Sequence, residues 1–241
     1  MRPRYTDGRV AYSLRIGTRE IQYWLRCVLR KRWLQRLGAS RMLLALGLSA
    51  ALGAMLSLPP ALGPGIAYSL MLLAQSQGEA IIRTLHNATA ASAATAPDAN
   101  SDVSADHTFE QICVGYEAHH YDADSNALHS AGMILSAGLL IAALAGKGAG
   151  LAVWIPPTWY GFAWVGHYFF QADIPAVFTY AMTLRGWASG EACAVLAMLA
   201  GRANPTAENK GLTCLIMATW LAFAIHGTWL TSTRKAKGKV S

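Results

Sequence analysis

The stretch HSAGMILSAGLLIAALAG (residues 129–146), the turn KGAG (147–150) and the return LAVWIPPTWYGFAWVGH (151–167) decide how this chain folds. Ser130 to Gly146 is an uncharged run of 17 residues that stops at Lys147. A glycine-rich turn follows at once, and the next apolar run, Gly148 to Gly166, carries Pro156-Pro157, which kinks or starts its helix. Two antiparallel helices of about 17 residues, rising 1.5 Å per residue, return the chain to the side from which it left. The hairpin therefore predicts His129 and His167 on the same face.

Working outward, a membrane helix needs about 20 largely apolar residues, and two further stretches approach that. Met42 to Ala74 is uncharged, but Pro59-Pro60 and Gly63-Pro64-Gly65 interrupt it, so it reads as two short spans or a hydrophobic hairpin. Gly211 to Thr231 is the cleanest span and bears Trp220 and Trp229, residues suited to a membrane interface. Ile174 to Ala200 is broken by Arg185, Gly190 and Glu191 and reads as re-entrant or interfacial. The expectation is an all-α, polytopic membrane helical bundle with an N-terminal hydrophobic hairpin and a disordered linker. Its divisions are a basic cytosolic N-terminus (1–41), the hairpin (42–75), the linker (76–106), a membrane-embedded domain (107–232) and a basic tail (233–241). The linker rests on residues 88–105, rich in Ala, Ser, Thr, Asp and Asn, which bury too little to offset their ordering entropy.

Composition agrees. Of 241 residues, 14% are charged and 54% hydrophobic, against about 25% charged in an average soluble protein, which argues against an ordinary soluble domain. The net charge of +7 does not indicate a nucleic-acid partner, because 11 of the 20 Lys and Arg lie before Met42. Basic flanks at both ends put both termini in the cytosol by the positive-inside rule, with the bilayer as the expected surrounding. The last five residues, Lys237-Gly-Lys239-Val-Ser241, resemble a Lys-x-Lys-x-x retrieval signal read by coat protein, giving an endoplasmic-reticulum membrane as the expected location. An Arg-rich, acid-poor N-terminus is also the pattern of a mitochondrial transit peptide, which ranks second. Cys27, Cys113, Cys193 and Cys214 show no CxxC spacing and read as reduced or buried thiols, with neither disulfides nor zinc. Asn87-Ala-Thr89 matches a glycosylation acceptor that a cytosolic placement leaves unused.

Seven histidines remain, four of them His107, His119, His120 and His129, with His167 and His226 near the ends of apolar runs. A single histidine there is more often a group hydrogen-bonded at headgroup level than a ligand. His120 and His129 would face opposite ways on one straight helix, being nine residues or about 900° apart. Asp122-Ala-Asp124-Ser125-Asn126 supplies a break of turn and cap formers between them. His129 then opens the hairpin helix, with His120 just outside it and His167 returning beside it. Three gathered imidazoles are the pattern of a metal site for Fe, Zn, Cu or Ni. His119 and His226 are further candidate ligands. The aromatics Trp159, Tyr160, Phe162, Trp164, Tyr168, Phe169 and Phe170 read chiefly as an interfacial belt.

Tyr116-Glu-Ala-His119-His120, His129-Ser-Ala-Gly132 and Ala163-Trp-Val-Gly-His167-Tyr-Phe-Phe-Gln-Ala-Asp-Ile-Pro175-Ala-Val-Phe178 resemble the endoplasmic-reticulum 2-hydroxy fatty acid dioxygenase family over about residues 107 to 202. The resemblance implies an Fe(2+)-dependent enzyme of fatty acid α-oxidation in phytosphingosine breakdown. Its substrates would be a 2-hydroxy fatty acid and O2, its product the acid one carbon shorter, and its catalytic iron ligands His120, His129 and His167. Where the family carries Asn five residues after its first His, this chain has Ser125, with Asn126 one place on; where the family carries Glu after Gly-His, it has Gln171. Asn126, Gln171 and Asp173 are the expected supports behind the ligands, with Asp173 or Glu117 standing in for the missing carboxylate. Arg185 and Lys147 are weaker candidates for pairing with a substrate carboxylate. Against the enzyme stand a non-enzymatic or degenerate member of the same family, a haem protein, and a di-iron hydroxylase, whose eight-histidine boxes this chain lacks.

Overall fold

The computed structural model describes residues 38–90, 108–110, 112, 113, 116, 120, 122–171, 175, 184–199 and 207–237. Within them the chain is all-helical: α1 (Gly38–Met55), α2 (Gly63–Ala90), α3 (Ala123–Ala142), α4 (Ile155–Val165), α5 (Leu184–Leu199) and α6 (Ala207–Lys237). The basic N-terminus before Gly38, residues 91–106 of the expected linker, and the last residues of the tail, Lys239 included, lie outside the described residues.

The central hairpin forms, with a second arm that is a 3-10 segment and an 11-residue helix in place of one helix of about 17 residues. Asp122 caps α3, its side chain accepting from the Ser125 backbone N–H at 2.9 Å. After α3 the chain passes through a π-helical turn, Ala143–Lys147, and reverses at Gly146 (φ 76°) and Gly148 (φ 133°), left-handed conformations that glycine adopts without a Cβ penalty. A 3-10 segment, Ala149–Trp154, leads into α4, whose first turn holds Pro156-Pro157, so the prolines start this helix instead of kinking it. A second π-helical turn, Gly166–Gln171, closes α4.

Two apolar helical stretches are long enough to cross a membrane, Ala123–Lys147 and Lys210–Arg234. Of the four uncharged runs, two thus lie in helices long and apolar enough to cross, among the described residues. The run 148–166 divides into a 3-10 segment and an 11-residue helix, and the apolar part of α1, Arg41–Met55, is too short. Helix α2 continues to Ala90, so residues 76–90 are helical where the sequence suggested linker. The Gln75 side chain donates to Glu79 at 3.1 Å, an i,i+4 link of the kind that supports helix beyond an apolar run.

The N-terminal arms join the same core as the hairpin. Ala45 and Leu52 of α1, Ala67 of α2, Leu128, Leu135 and Leu139 of α3, Phe162 of α4, and Ile216 and Trp220 of α6 form one buried cluster. Helix α1 packs chiefly on α6, and α2 on α4, so the two arms lean on different helices more than on each other. Small residues permit the α1–α6 crossing: Ser49 donates to the Ile216 carbonyl, and a Cβ on Gly53 would meet the Trp220 carbonyl. Phe162, Trp164, Tyr168 and Phe170 are buried in the packing, which corrects their reading as an interfacial belt; Phe169 stays exposed.

Cys113 and Cys193 form a disulfide, with Cα atoms 5.0 Å apart, contrary to the expectation of reduced thiols. The pairing joins residues 80 positions apart and carries no spacing signature. It sits among Ile112, Tyr116, Met133, Ala194 and Ala197 and ties the segment before His120 to α5. Cys214 is free and exposed.

Candidate metal centre

Three pieces of chain deliver the three histidines. His120 precedes the α3 cap, His129 lies in the second turn of α3, and His167 lies in the π-helical turn after α4. All three are buried, and one potential ligand atom from each lies within 4.8 Å of the others. The ring centroids form a near-equilateral triangle of 4.7, 4.8 and 5.0 Å, with rings crossing at 76° to 88°. Imidazoles turned edge to face about a common centre can present nitrogens to one ion without stacking on each other.

Backbone carbonyls set two of the rings. His120 Nδ1 lies 2.6 Å from the Tyr116 carbonyl oxygen, and His129 Nδ1 lies 2.7 Å from that of Ser125. A carbonyl only accepts, so each Nδ1 carries the proton and donates it, leaving the Nε2 lone pair as the ligand. Such partners fix tautomer and ring direction in metal sites. Neutral, buried imidazoles with preset Nε2 atoms fit a divalent first-row metal, and residue type does not choose among Fe, Zn, Cu and Ni.

The first turn of α3 knits the site together. Asn126 donates from Nδ2 to the His120 carbonyl at 3.1 Å, and its backbone N–H bonds the Asp122 carbonyl at 2.9 Å. Gly166 permits the close approach of α3 to the His167 turn: a Cβ there would lie 2.8 Å from Ser125 Oγ and 3.4 Å from the His129 ring. Ser125, in the place where the family carries Asn, thus fills the space beside Gly166 while its carbonyl orients His129.

Other expected site residues fall elsewhere. His226 is exposed on α6, next to Trp229, and stands outside the cluster, because α6 turns that face away from α3. Lys147 is exposed beyond the far end of α3, and Ala142 at that end is already about 20 Å along the helix from His129 at 1.5 Å per residue, out of reach of a ligand at the centre. Arg185 is exposed on α5. Gln171 is buried at the end of the His167 turn. His107, Glu117, His119 and Asp173 lie outside the described residues.

Sequence reasoning passed over Arg41, whose guanidinium lies 3.5 Å from Asp122 and 3.2 Å from Asp124 and stacks 4.6 Å from the centre of the Phe170 ring. It also assigned no role to Tyr116, although its position four residues before His120 marks it as a helical neighbour.

No curated protein and no solved structure matches the chain. Residues 107–203 match the family described as 2-hydroxy-palmitic acid dioxygenase, Mpo1-like, a segment that contains all three clustered histidines. Over that segment the chain is similar to the Mpo1-like family.

Proposed function

We propose that the protein is an Fe(II)-dependent dioxygenase of fatty acid α-oxidation, acting in a membrane on 2-hydroxy fatty acids such as 2-hydroxypalmitate. The observation that carries this reading is the buried triangle of His120, His129 and His167 inside the family segment. The overall reaction balances as C16H32O3 plus O2 giving the C15 acid, CO2 and water. Bound iron would supply the activation of O2, which no side chain here can provide.

The protein's own part is to hold the ligands in place. The Tyr116 and Ser125 carbonyls keep Nδ1 protonated on His120 and His129, so the ligand nitrogens are preset. His120, His129 and His167 would hold the iron, which would supply Lewis acidity toward the vicinal carboxylate and hydroxyl of a 2-hydroxy acid. Val165 before the His167 turn and Phe170 within it are buried. The acyl chain would stay in the bilayer, a placement supported by the two apolar helices of spanning length and by exposed Leu215, Leu221, Phe223, Ile225 and Leu230 on α6.

The proposed location is the endoplasmic-reticulum membrane. Two apolar helices of spanning length support a membrane setting.

Purified in detergent, the wild-type protein is expected to carry iron and to convert 2-hydroxypalmitate with Fe(II) and O2 to the C15 acid. His167→Ala should lose both metal and turnover. If no C15 acid forms and the substitution leaves metal content unchanged, the reading fails. A second reading is a metal-binding member without turnover, favoured by the buried amide of Gln171 where the family has a carboxylate. Iron bound at one equivalent with no C15 product would select it.

A further inference from the structure

We propose that Arg41, which lies outside the family segment, is a positioning residue of the histidine centre; this rests on reading the three histidines as a metal site. Arg41 stands at the start of α1, yet its side chain reaches the two pieces of chain that carry the ligands. On one side its guanidinium pairs with Asp122 and Asp124, at 3.5 and 3.2 Å. On the other it lies over Phe170, 4.6 Å from the ring centre and three residues beyond His167.

The Asp122 and Phe170 contacts each lead to a ligand within two steps. Asp122 caps α3 by accepting the Ser125 N–H, and the Ser125 carbonyl accepts the His129 Nδ1–H. Asn126, in the same turn, holds the His120 carbonyl. Phe170 belongs to the π-helical turn that carries His167. Asp122 is buried, and the guanidinium within reach of both carboxylates of this turn offsets the cost of burying that charge. Guanidinium is suited to this double duty: it is planar, permanently charged, able to bond two acids through its edge and to stack through its face. A lysine in its place would keep the charge and lose the stack. The N-terminal arm therefore locks the first turn of α3 to the His167 turn through one side chain.

The test uses the full chain in detergent, with Co(II) as a probe whose visible absorption reports ligand geometry. Arg41→Gln is expected to weaken Co(II) binding by about tenfold or more, in the range seen when supporting groups behind metal ligands are removed, and to shift the cobalt spectrum. Arg41→Lys should recover much of the affinity. Far-UV circular dichroism and an intact Cys113–Cys193 bond check the fold. Asp124→Asn, at a partly exposed site, should shift the spectrum in the same direction, and it keeps the test decisive if Arg41→Gln does not fold. Wild-type affinity and spectrum in Arg41→Gln overturn the proposal. So does an unshifted Asp124→Asn spectrum, or a loss of affinity in Arg41→Gln that lysine does not relieve and that leaves the spectrum unchanged. A wild-type protein that takes up no cobalt defeats the metal reading itself, and this proposal with it.

Discussion

Tyr116 lies against His120, ring centroids 3.8 Å apart and planes 25° from parallel, while its carbonyl oxygen accepts the His120 Nδ1–H at 2.6 Å. One residue thus orients the imidazole through its backbone and braces it through its ring. Tyr116→Phe keeps both elements and should retain wild-type metal affinity. Tyr116→Ala should lower that affinity and cost about 3 kcal/mol of stability, as truncating a buried aromatic does. Metal titration and thermal unfolding of the two variants check this; equal affinity in both would mean that the ring does not brace His120.

Gly166 is expected to reject even a methyl group. Its Cβ would meet Ser125 Oγ at 2.8 Å and crowd the His129 ring, so Gly166→Ala should destabilise the protein by about 1–3 kcal/mol, the usual cost of overpacking. Removing the Ser125 hydroxyl in the double variant Gly166→Ala/Ser125→Ala should return part of that loss. A double variant no more stable than the single one would place the strain elsewhere.

The disulfide should matter to the centre as well as to stability. Cys113 is one helical turn before Tyr116, so breaking its bond to Cys193 frees the segment that ends at His120. Cys193→Ser is expected to cost about 2–4 kcal/mol and to weaken metal binding, whereas α3 and α4 keep their packing. Metal titration with and without reductant measures this directly, and identical affinities would separate the disulfide from the site.

Asp122 joins a helix cap to an ion pair. Asp122→Ala should cost about 1 kcal/mol from the cap alone, and more because Arg41 then keeps only Asp124 as an acidic partner. In an Arg41→Gln background the same change should cost less. Chemical denaturation of the four proteins gives the coupling, and strictly additive losses would show that cap and ion pair act independently.

The sequence by itself determined the hairpin and two corners of the triangle. The glycine turn at 146–150, the Pro156-Pro157 start and the cap at Asp122 are local chemistry, and helix lengths then bring His167 back beside His129. The break at residues 122–126 likewise let His120 turn toward them. Tertiary structure decided what depends on partners far apart in the chain. Arg41 finds Asp122 and Cys113 finds Cys193 across about 80 residues, and neither pair leaves a periodicity or spacing to read. The division of the run 148–166 was also hidden, because an uncharged run records composition and not whether a 3-10 segment divides it. An apolar face calls for burial without naming its partner, so only packing could decide that α1 rests on α6, α2 on α4, and Arg41 at the edge of the histidines.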